Sequence, residues 1–309
     1  MHSIGSVQLK NNIVAAPLAG ISDYPFRQLA RFFGIDLTYS EMVSSVGICA
    51  DNDKSKHFTF EKGEHPIALQ IFGNTPDMMS YAAAYFEDQG VAMIDINFGC
   101  PVKKVVKQGS GSALQRDIKQ AEDTIKSVRR AISIPLTIKC RLGWNKAEEN
   151  FTEMARIAQG EGVDAFCLHP RYAVQMFKGE SDWSRFNEIR DILSIPIIGS
   201  GDINSVNEIE SGFKNYPVDF IMLGRGLMGD PWMVSNYLKQ EPPPLKEVML
   251  MHYDLMLKHF GQEYTVSTRY RKFIGKYVKG LQNAGELRLI GNTLLCRNDL
   301  LALLEKIDV

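Results

Sequence analysis

Eight short runs of β-branched or apolar residues recur along the chain, each ending in small or polar residues and each followed by a helix-length segment. They are Ile13–Pro17, Leu37–Met42, Ile67–Phe72, Met93–Asn97, Pro135–Arg141, Ala165–His169, Pro196–Ser200 and Phe220–Gly224. Continuous apolar strands alternating with helices describe a parallel sheet covered on both faces, and eight such units close into an α/β (β/α)8 barrel, the TIM-barrel architecture. An open doubly wound sheet is the alternative, but it usually stops at fewer strands. The length of 309 residues accommodates one such core and a modest appendage.

Glu241-Pro242-Pro243-Pro244 breaks the alternation, because consecutive prolines cannot continue a helix and favour an extended connection. We therefore expect a barrel domain over residues 1–241 and a small all-helical domain over 245–309. In the latter, Leu245–Phe260, Ser267–Gln282 and Leu294–Ile307 carry helical spacing, for three or four helices in all.

Apolar residues make up 45% of the chain and charged residues 23%, which excludes disorder and a membrane-embedded class. The start, Met1-His2-Ser3-Ile4-Gly5, has no basic region followed by an apolar run, and no window approaches the ~18 apolar residues of a spanning helix. The expectation is a cytoplasmic protein with no membrane partner. Cys49, Cys100, Cys140, Cys167 and Cys296 are scattered without a Cys-x-x-Cys pair, which argues against disulfides and against a metal site. With a net charge of -1, any polyanionic partner must be drawn by a local basic surface.

In a parallel barrel the catalytic groups come from the C-terminal ends of the strands and the loops after them. Those positions hold Glu41, Gln70, Asn97 with Cys100, Lys139 with Arg141, His169 with Arg171, Ser200 with Asp202, and Arg225. Gly199-Ser200-Gly201-Asp202 and Gly224-Arg225-Gly226 follow strands seven and eight, where barrels often bind phosphate through backbone N–H groups. Gly224-Arg225-Gly226-Leu227-Met228-Gly229 also spells Gly-x-Gly-x-x-Gly. A dinucleotide fold would need a further strand with an acidic end about 20 residues on, whereas this chain runs into its prolines.

Lys139 lies inside an apolar strand, so its ammonium points into the barrel mouth or pairs with an acid; it suits a Schiff base or a fixed cation facing an anionic ring. Gln70 offers donor and acceptor to a uracil-like edge. His169 and Arg171 could hold an anion or a substrate. Cys140 and Cys167 sit in strand interiors and read as packing. Cys100 differs, since Gly99 and Pro101 hold it on a constrained loop beside Asn97; a thiol with a pKa of roughly 8.5 is mostly protonated at neutral pH and can act as an acid. A nucleophile would want a histidine partner, and none lies nearby in sequence.

Ala16-Pro17-Leu18-Ala19-Gly20-Ile21-Ser22-Asp23, Asp95-Ile96-Asn97-Phe98-Gly99-Cys100-Pro101, Gly109-Ser110-Gly111-Ser112-Ala113-Leu114 and Gly199-Ser200-Gly201-Asp202-Ile203 together resemble the tRNA-dihydrouridine synthases, in particular their bacterial B type. The likeness covers the whole barrel, and Arg269-x-Arg271-Lys272 with Tyr277 resembles that subgroup's helical domain. It implies an FMN-dependent reduction of the C5–C6 double bond of selected uridines in tRNA, driven by NADPH. Carried over position by position, Ala16, Pro17 and Leu18 meet the flavin, Gln70 and Lys139 its polar ring edge, and Ser200, Gly201, Asp202, Gly224 and Arg225 its ribityl and phosphate. His169 joins this cofactor set. Cys100 is the proton donor and Asn97 orients the uracil. Leu18, Pro170 and Ser200 depart from the methionine, glycine and asparagine usual in that family, and Pro170 removes a backbone donor.

Arg269, Lys272, Lys276 and Lys279 fall on one helical face, with Phe273 and Tyr277 on another, and Arg271 completes a run without an acid. Lys103, Lys104 and Lys107 follow the cysteine loop. We expect Lys103, Lys104, Arg141, Arg171, Arg269, Lys272 and Lys276 to serve a tRNA partner, bound by a monomer. The target uridine must leave its stack to be reached. An FMN barrel acting on a free pyrimidine, as in dihydroorotate oxidation, explains the barrel but not the basic helical unit. A flavin-free lyase using Lys139, or an RNA-binding barrel without catalysis, are the remaining readings.

Overall fold

The computed structural model describes residues 2–307 apart from 52, 55–57 and 59. Its strands in chain order are β1 (His2–Ile4), β2 (Val7–Leu9), β3 (Ile13–Ala15), β4 (Leu37–Tyr39), β5 (Val43–Ser44), β6 (Ile67–Phe72), β7 (Met93–Asn97), β8 (Leu136–Gly143), β9 (Ala165–Tyr172), β10 (Ile197–Ser200) and β11 (Phe220–Leu223). β3, β4 and β6 to β11 pair in parallel with their sequence neighbours, and β11 returns to β3 through Ile221 opposite Ile13, so the eight expected strands close into a barrel. The two-residue β5 lies along the upper part of β6, with Val43 opposite Ile71.

Strand parity divides the core in two. Side chains alternate across a strand, so Leu69, Ile71, Ile94, Ile96, Ile138, Phe166, Leu168 and Ile221 face outward and pack under helices such as Pro76–Asp88, Ile118–Ala131 and Phe151–Gly160. Val14, Leu37, Tyr39, Ala68, Met93, Ala165, Cys167, Ile198, Phe220 and Met222 face inward and fill the barrel. Two residues further along the same inward rows stand Gln70, Asp95, His169, Ser200 and Gly224. The apolar floor and the polar mouth are therefore consecutive layers of one alternating pattern.

The hairpin β1–β2 is not signalled by the sequence, since three-residue strands carry too little periodicity to stand out. Its Ile4 and Leu9 are buried with Val14, Met93, Ile198 and Phe220, and so close the N-terminal end of the barrel. Open apolar layers at that end would otherwise face water.

After the connection 241–244, four helices follow: Leu245–Phe260, Glu263–Tyr277, Ala284–Asn292 and Arg297–Glu305. The expected second helix begins four residues earlier, and Leu294 is buried in the connection before the last helix, not within it. The unit packs on the barrel through aromatic rings: Phe273 stacks on Phe26 at 6.5 Å, His259 on Tyr24 at 5.3 Å, and Tyr277 meets Trp232 at 6.1 Å. Gly229 allows this approach, because a Cβ there would stand 2.5 Å from the Cβ of Lys276. The last glycine of the Gly-x-Gly-x-x-Gly match thus serves helix docking.

No helix among the described residues is long and apolar enough to cross a membrane.

Candidate active site

The inward rows open into a cleft of about 360 Å³ at the C-terminal end of the barrel. Its walls bring together Ala16, Pro17, Leu18, Gln70, Asn97, Cys100, Lys139, Arg141, His169, Ser200, Gly201, Asp202, Gly224 and Arg225, every residue expected at the cofactor and the reacting base. Met42, Val102, Phe177, Asn204, Met222 and Met228 line it as well. Sequence reasoning misses these last, which are apolar or loop positions without a local signal.

At the floor, neighbouring strands set Gln70 opposite Asp95 and Asp95 opposite Thr137. Gln70 Nε2 donates to Asp95 Oδ2 at 2.6 Å, Thr137 Oγ1 donates to Asp95 Oδ1 at 2.6 Å, and Asn97 Nδ2 donates to Gln70 Oε1 at 2.7 Å. Burial pushes the Asp95 carboxyl up to about 6, against the opposing pull of the Thr137 and Gln70 hydrogen bonds and the Lys139 charge. Sequence reasoning misses Asp95 too, as a strand-interior residue. Its position two before Asn97, on the same face, is the signal that could have found it.

Asn97 also builds the next loop. Its Oδ1 accepts from the backbone N–H of Gly99 at 3.1 Å and of Cys100 at 2.9 Å, which turns the chain directly after β7. The Cys100 carbonyl is held in turn by the N–H and the hydroxyl of Ser112, both at 3.0 Å. Arg141 Nε donates to the Gly99 carbonyl at 2.9 Å. The thiol is thus presented on a loop fixed at three points. Burial raises the Cys100 thiol above its ordinary value, outweighing the Val102 N–H and the nearby Arg141 and Lys139 charges, so it carries its proton at neutral pH. Among the described residues no histidine hydrogen-bonds it.

On the neighbouring strand, opposite Asn97, Lys139 projects from β8 into the cleft and has no hydrogen-bond acceptor among the described residues. Beside it, burial lowers Arg141 to about 10, with the Arg171 and Arg225 charges adding to the effect. His169 is held neutral, its pKa pushed well below the ordinary histidine value by burial and then by the Lys139, Arg141, Arg171 and Arg225 charges. The site is strongly cationic around an uncharged imidazole.

Arg171, grouped by sequence with RNA contacts, lies instead beneath this wall and is 2% exposed. Its guanidinium donates to Asp202 at 2.5 Å and to the Gly179 carbonyl at 2.6 Å, and it meets His169 Nε2 at 3.2 Å. Strand parity turns it inward with Cys167 and His169, which removes it from the surface. Burial alone would raise the Asp202 carboxyl, but hydrogen bonds from Arg171 and the Ser181 N–H outweigh it and hold Asp202 below the usual carboxylate value. Asp202 adopts φ 56°, next to Gly201 at φ 120°, where a Cβ would meet the His169 ring at 2.8 Å. The backbone N–H groups of Gly201, Asp202, Gly224 and Arg225 have no acceptor among the described residues, and Arg225 reaches Asp202 at 3.4 Å. Such a pair of loops has the donors to hold an anion.

The expected basic positions divide. Lys103 and Lys104 are exposed on the short helix Lys103–Val106, directly after the cysteine loop. Arg269, Lys276 and Lys279 are exposed on Glu263–Tyr277 and its end, while Phe273 and Tyr277 are buried, as the helical spacing requires. Arg271 is turned inward to the Leu294 carbonyl at 2.6 Å. Lys272 leans onto the barrel, donating to the Gly20 carbonyl and facing Asp23 and Glu41. Among the described residues no group of His, Cys, Asp and Glu could hold a metal ion.

Comparison with known proteins agrees with this geometry. The chain is 35% identical to a probable tRNA-dihydrouridine synthase of Rickettsia conorii, over 99% of this chain and 95% of the relative. It is 35% identical to tRNA-dihydrouridine synthase B of Vibrio parahaemolyticus, with 94% of each covered. Among solved structures, an old yellow enzyme homologue from Zymomonas mobilis shares the fold at a TM-score of 0.59 and 13% identity, over 78% of this chain and 92% of that one. Histamine dehydrogenase from Rhizobium sp. 4-9 shares it at 0.60 and 12%, over 82% of this chain, which spans about half that protein's length. The family model of dihydrouridine synthase matches residues 13–308, and with the relatives this shows that the chain belongs to the dihydrouridine synthase family.

Proposed function

We propose that this protein reduces selected uridines in tRNA to 5,6-dihydrouridine, with FMN as cofactor and NADPH as reductant, and works as a monomer in the cytoplasm. The observation that carries the reading is the Cys100 thiol, fixed on its own loop, in one cleft with the acceptor-free side chain of Lys139 and the two loops of open backbone donors.

The donor set fits FMN. Backbone N–H groups at Gly201, Asp202, Gly224 and Arg225, with the Arg225 guanidinium, suit a phosphate, and Ser200 with His169 suits the ribityl hydroxyls. Ala16, Pro17 and Leu18 form an apolar wall for a flat ring. Gln70 and Lys139 would hold its polar edge, Lys139 countering negative charge there. Bound FMN supplies hydride transfer to C6 of the uracil.

The chain's own residues do the rest. Cys100 holds the proton that C5 must receive and delivers it from Sγ, and the raised thiol pKa keeps that proton available through neutral pH. Asn97 fixes the loop that aims Sγ, and its carboxamide borders the position of the base. Arg141, tied to the Gly99 carbonyl, holds the same loop from below and keeps a positive charge beside the thiol. Lys103 and Lys104 at the mouth, with Arg269 and Lys276 on the helical domain, would neutralise RNA phosphates, which makes affinity fall with salt. These exposed cations favour RNA over a free pyrimidine as substrate.

The test is direct. Purified protein should be yellow and release FMN on denaturation, and incubation with NADPH and unmodified tRNA should yield dihydrouridine by mass spectrometry. Colourless protein, or equal activity on free uridine, would overturn the assignment.

A further inference from the structure

The loop after β9 presents Val174, Met176 and Phe177 to solvent, with relative exposures of 55%, 38% and 50%, and of the three Phe177 lines the cleft. Three exposed apolar side chains within four residues are costly unless something covers them. The segment is not slack. The Tyr172 N–H donates to Gln175 Oε1 at 2.6 Å, the Val174 N–H to the Trp144 carbonyl at 3.1 Å, and the Lys178 N–H to the Gln175 carbonyl at 2.8 Å. Arg171 holds the Gly179 carbonyl from beneath. Met176, directly before Phe177, is kept at φ 54°, a region that side chains with a Cβ rarely occupy. A pinned loop thus holds a half-exposed ring outward at the mouth.

Two cations lie against that ring. The Arg225 guanidinium is 5.0 Å from the Phe177 centroid and that of Arg141 is 5.7 Å. A half-exposed aromatic ring held at a cationic mouth is an arrangement that binds single-stranded nucleotides, the ring taking a base while Arg141 and Arg225 stay engaged with the loops below it. We propose that Phe177 is the stacking platform for a nucleobase next to the extruded uridine, holding the distorted RNA strand open at the mouth. This rests on the tRNA reading above. Phe177 here is a positioning residue, because it touches RNA beside the reacting base and not the reacting atoms.

The test uses the flavin-loaded full-length protein and unmodified tRNA. Phe177→Leu keeps the apolar bulk and removes the π face, and Phe177→Tyr keeps the face. Loss of one base stack should raise KM for tRNA about tenfold in Phe177→Leu, with the effect on KM and not on kcat, and Phe177→Tyr should restore it. Ultraviolet cross-linking of bound tRNA should place a nucleotide on the peptide containing Phe177. An unchanged KM in Phe177→Leu, or failure of Phe177→Tyr to restore it, overturns the platform. A fall in FMN content at unchanged tRNA affinity also overturns it, since the ring would then cover the cofactor. If wild-type protein neither holds flavin nor binds tRNA, the functional reading itself falls.

Discussion

Asp95 and Gln70 share a 2.6 Å hydrogen bond at the floor of the cleft, and the Asn97 amide closes on the other end of the same Gln70 side chain at 2.7 Å. The carboxamide is thereby fixed, with Nε2 toward the acid and Oε1 toward Asn97.

Asp95→Asn preserves the shape but places a donor where the carboxylate accepts. Gln70 must then turn over or leave a buried amide unpaired, which costs ~1–3 kcal/mol. FMN affinity is expected to fall about tenfold or more by fluorescence titration. Wild-type affinity in this variant would show that the orientation of Gln70 does not matter to the cofactor.

Cys100→Ala should lower dihydrouridine formation by about 10²- to 10⁴-fold, the usual contribution of a positioned acid. FMN content should stay near that of the wild type. Since burial raises the thiol pKa, the wild-type rate should show no loss from thiol ionisation between about pH 6 and 8.5. A group titrating in that window and abolished by Cys100→Ser would contradict the shift.

Arg171→Lys removes a planar fork that serves Asp202, Gly179 and His169 at once, and a lysine cannot reproduce it. The phosphate loop should loosen, so FMN is lost on gel filtration while direct RNA contact is not at issue. Retention of full FMN content would mean that Asp202 and Gly201 hold their geometry without it.

Arg269→Glu with Lys276→Glu should weaken tRNA binding and reduce its salt dependence by about two phosphate contacts. Lys272 belongs to a different class, because its ammonium is spent on the Gly20 carbonyl beside the Ala16–Leu18 wall. Lys272→Met is therefore expected to lower FMN content as well as RNA affinity. Filter binding across a salt series, together with flavin absorbance, separates the two.

His252 is fully buried among Tyr270, Phe273 and Tyr277, with Nδ1 at 2.7 Å from the Tyr277 hydroxyl, and burial lowers it to about 3. Its folded pKa is below the unfolded 6.5, so stability is complete above pH 6.5 and declines as pH falls toward 3. At pH 5 the loss is about 2 kcal/mol. Asp95 acts oppositely, its raised pKa relieving a penalty as pH falls through 6. His252→Phe should lose stability at about pH 7.5, where Tyr277 forfeits its partner, yet fall less than the wild type on going to about pH 5. Parallel denaturant curves at the two pH values would refute this.

Alternation and spacing alone determined the eight strands, their closure and the helical tail, because burial on both faces writes itself as apolar runs. The same rows fixed which strand-end residues meet, so Gln70, Asn97, Lys139, His169 and Ser200 were legible as one mouth. Glycine-bearing loops and the cysteine loop were legible because their local chemistry is rare. Contacts between rows were not. That Asp95 sets Gln70, that Arg171 turns under the loop after β10, that Lys272 leans on Gly20, and that Phe177 stands over two arginines depend on register and on loop packing between segments distant in the chain. Such relations carry no sequence period, since they arise only when barrel closure brings separate strand ends within hydrogen-bonding distance.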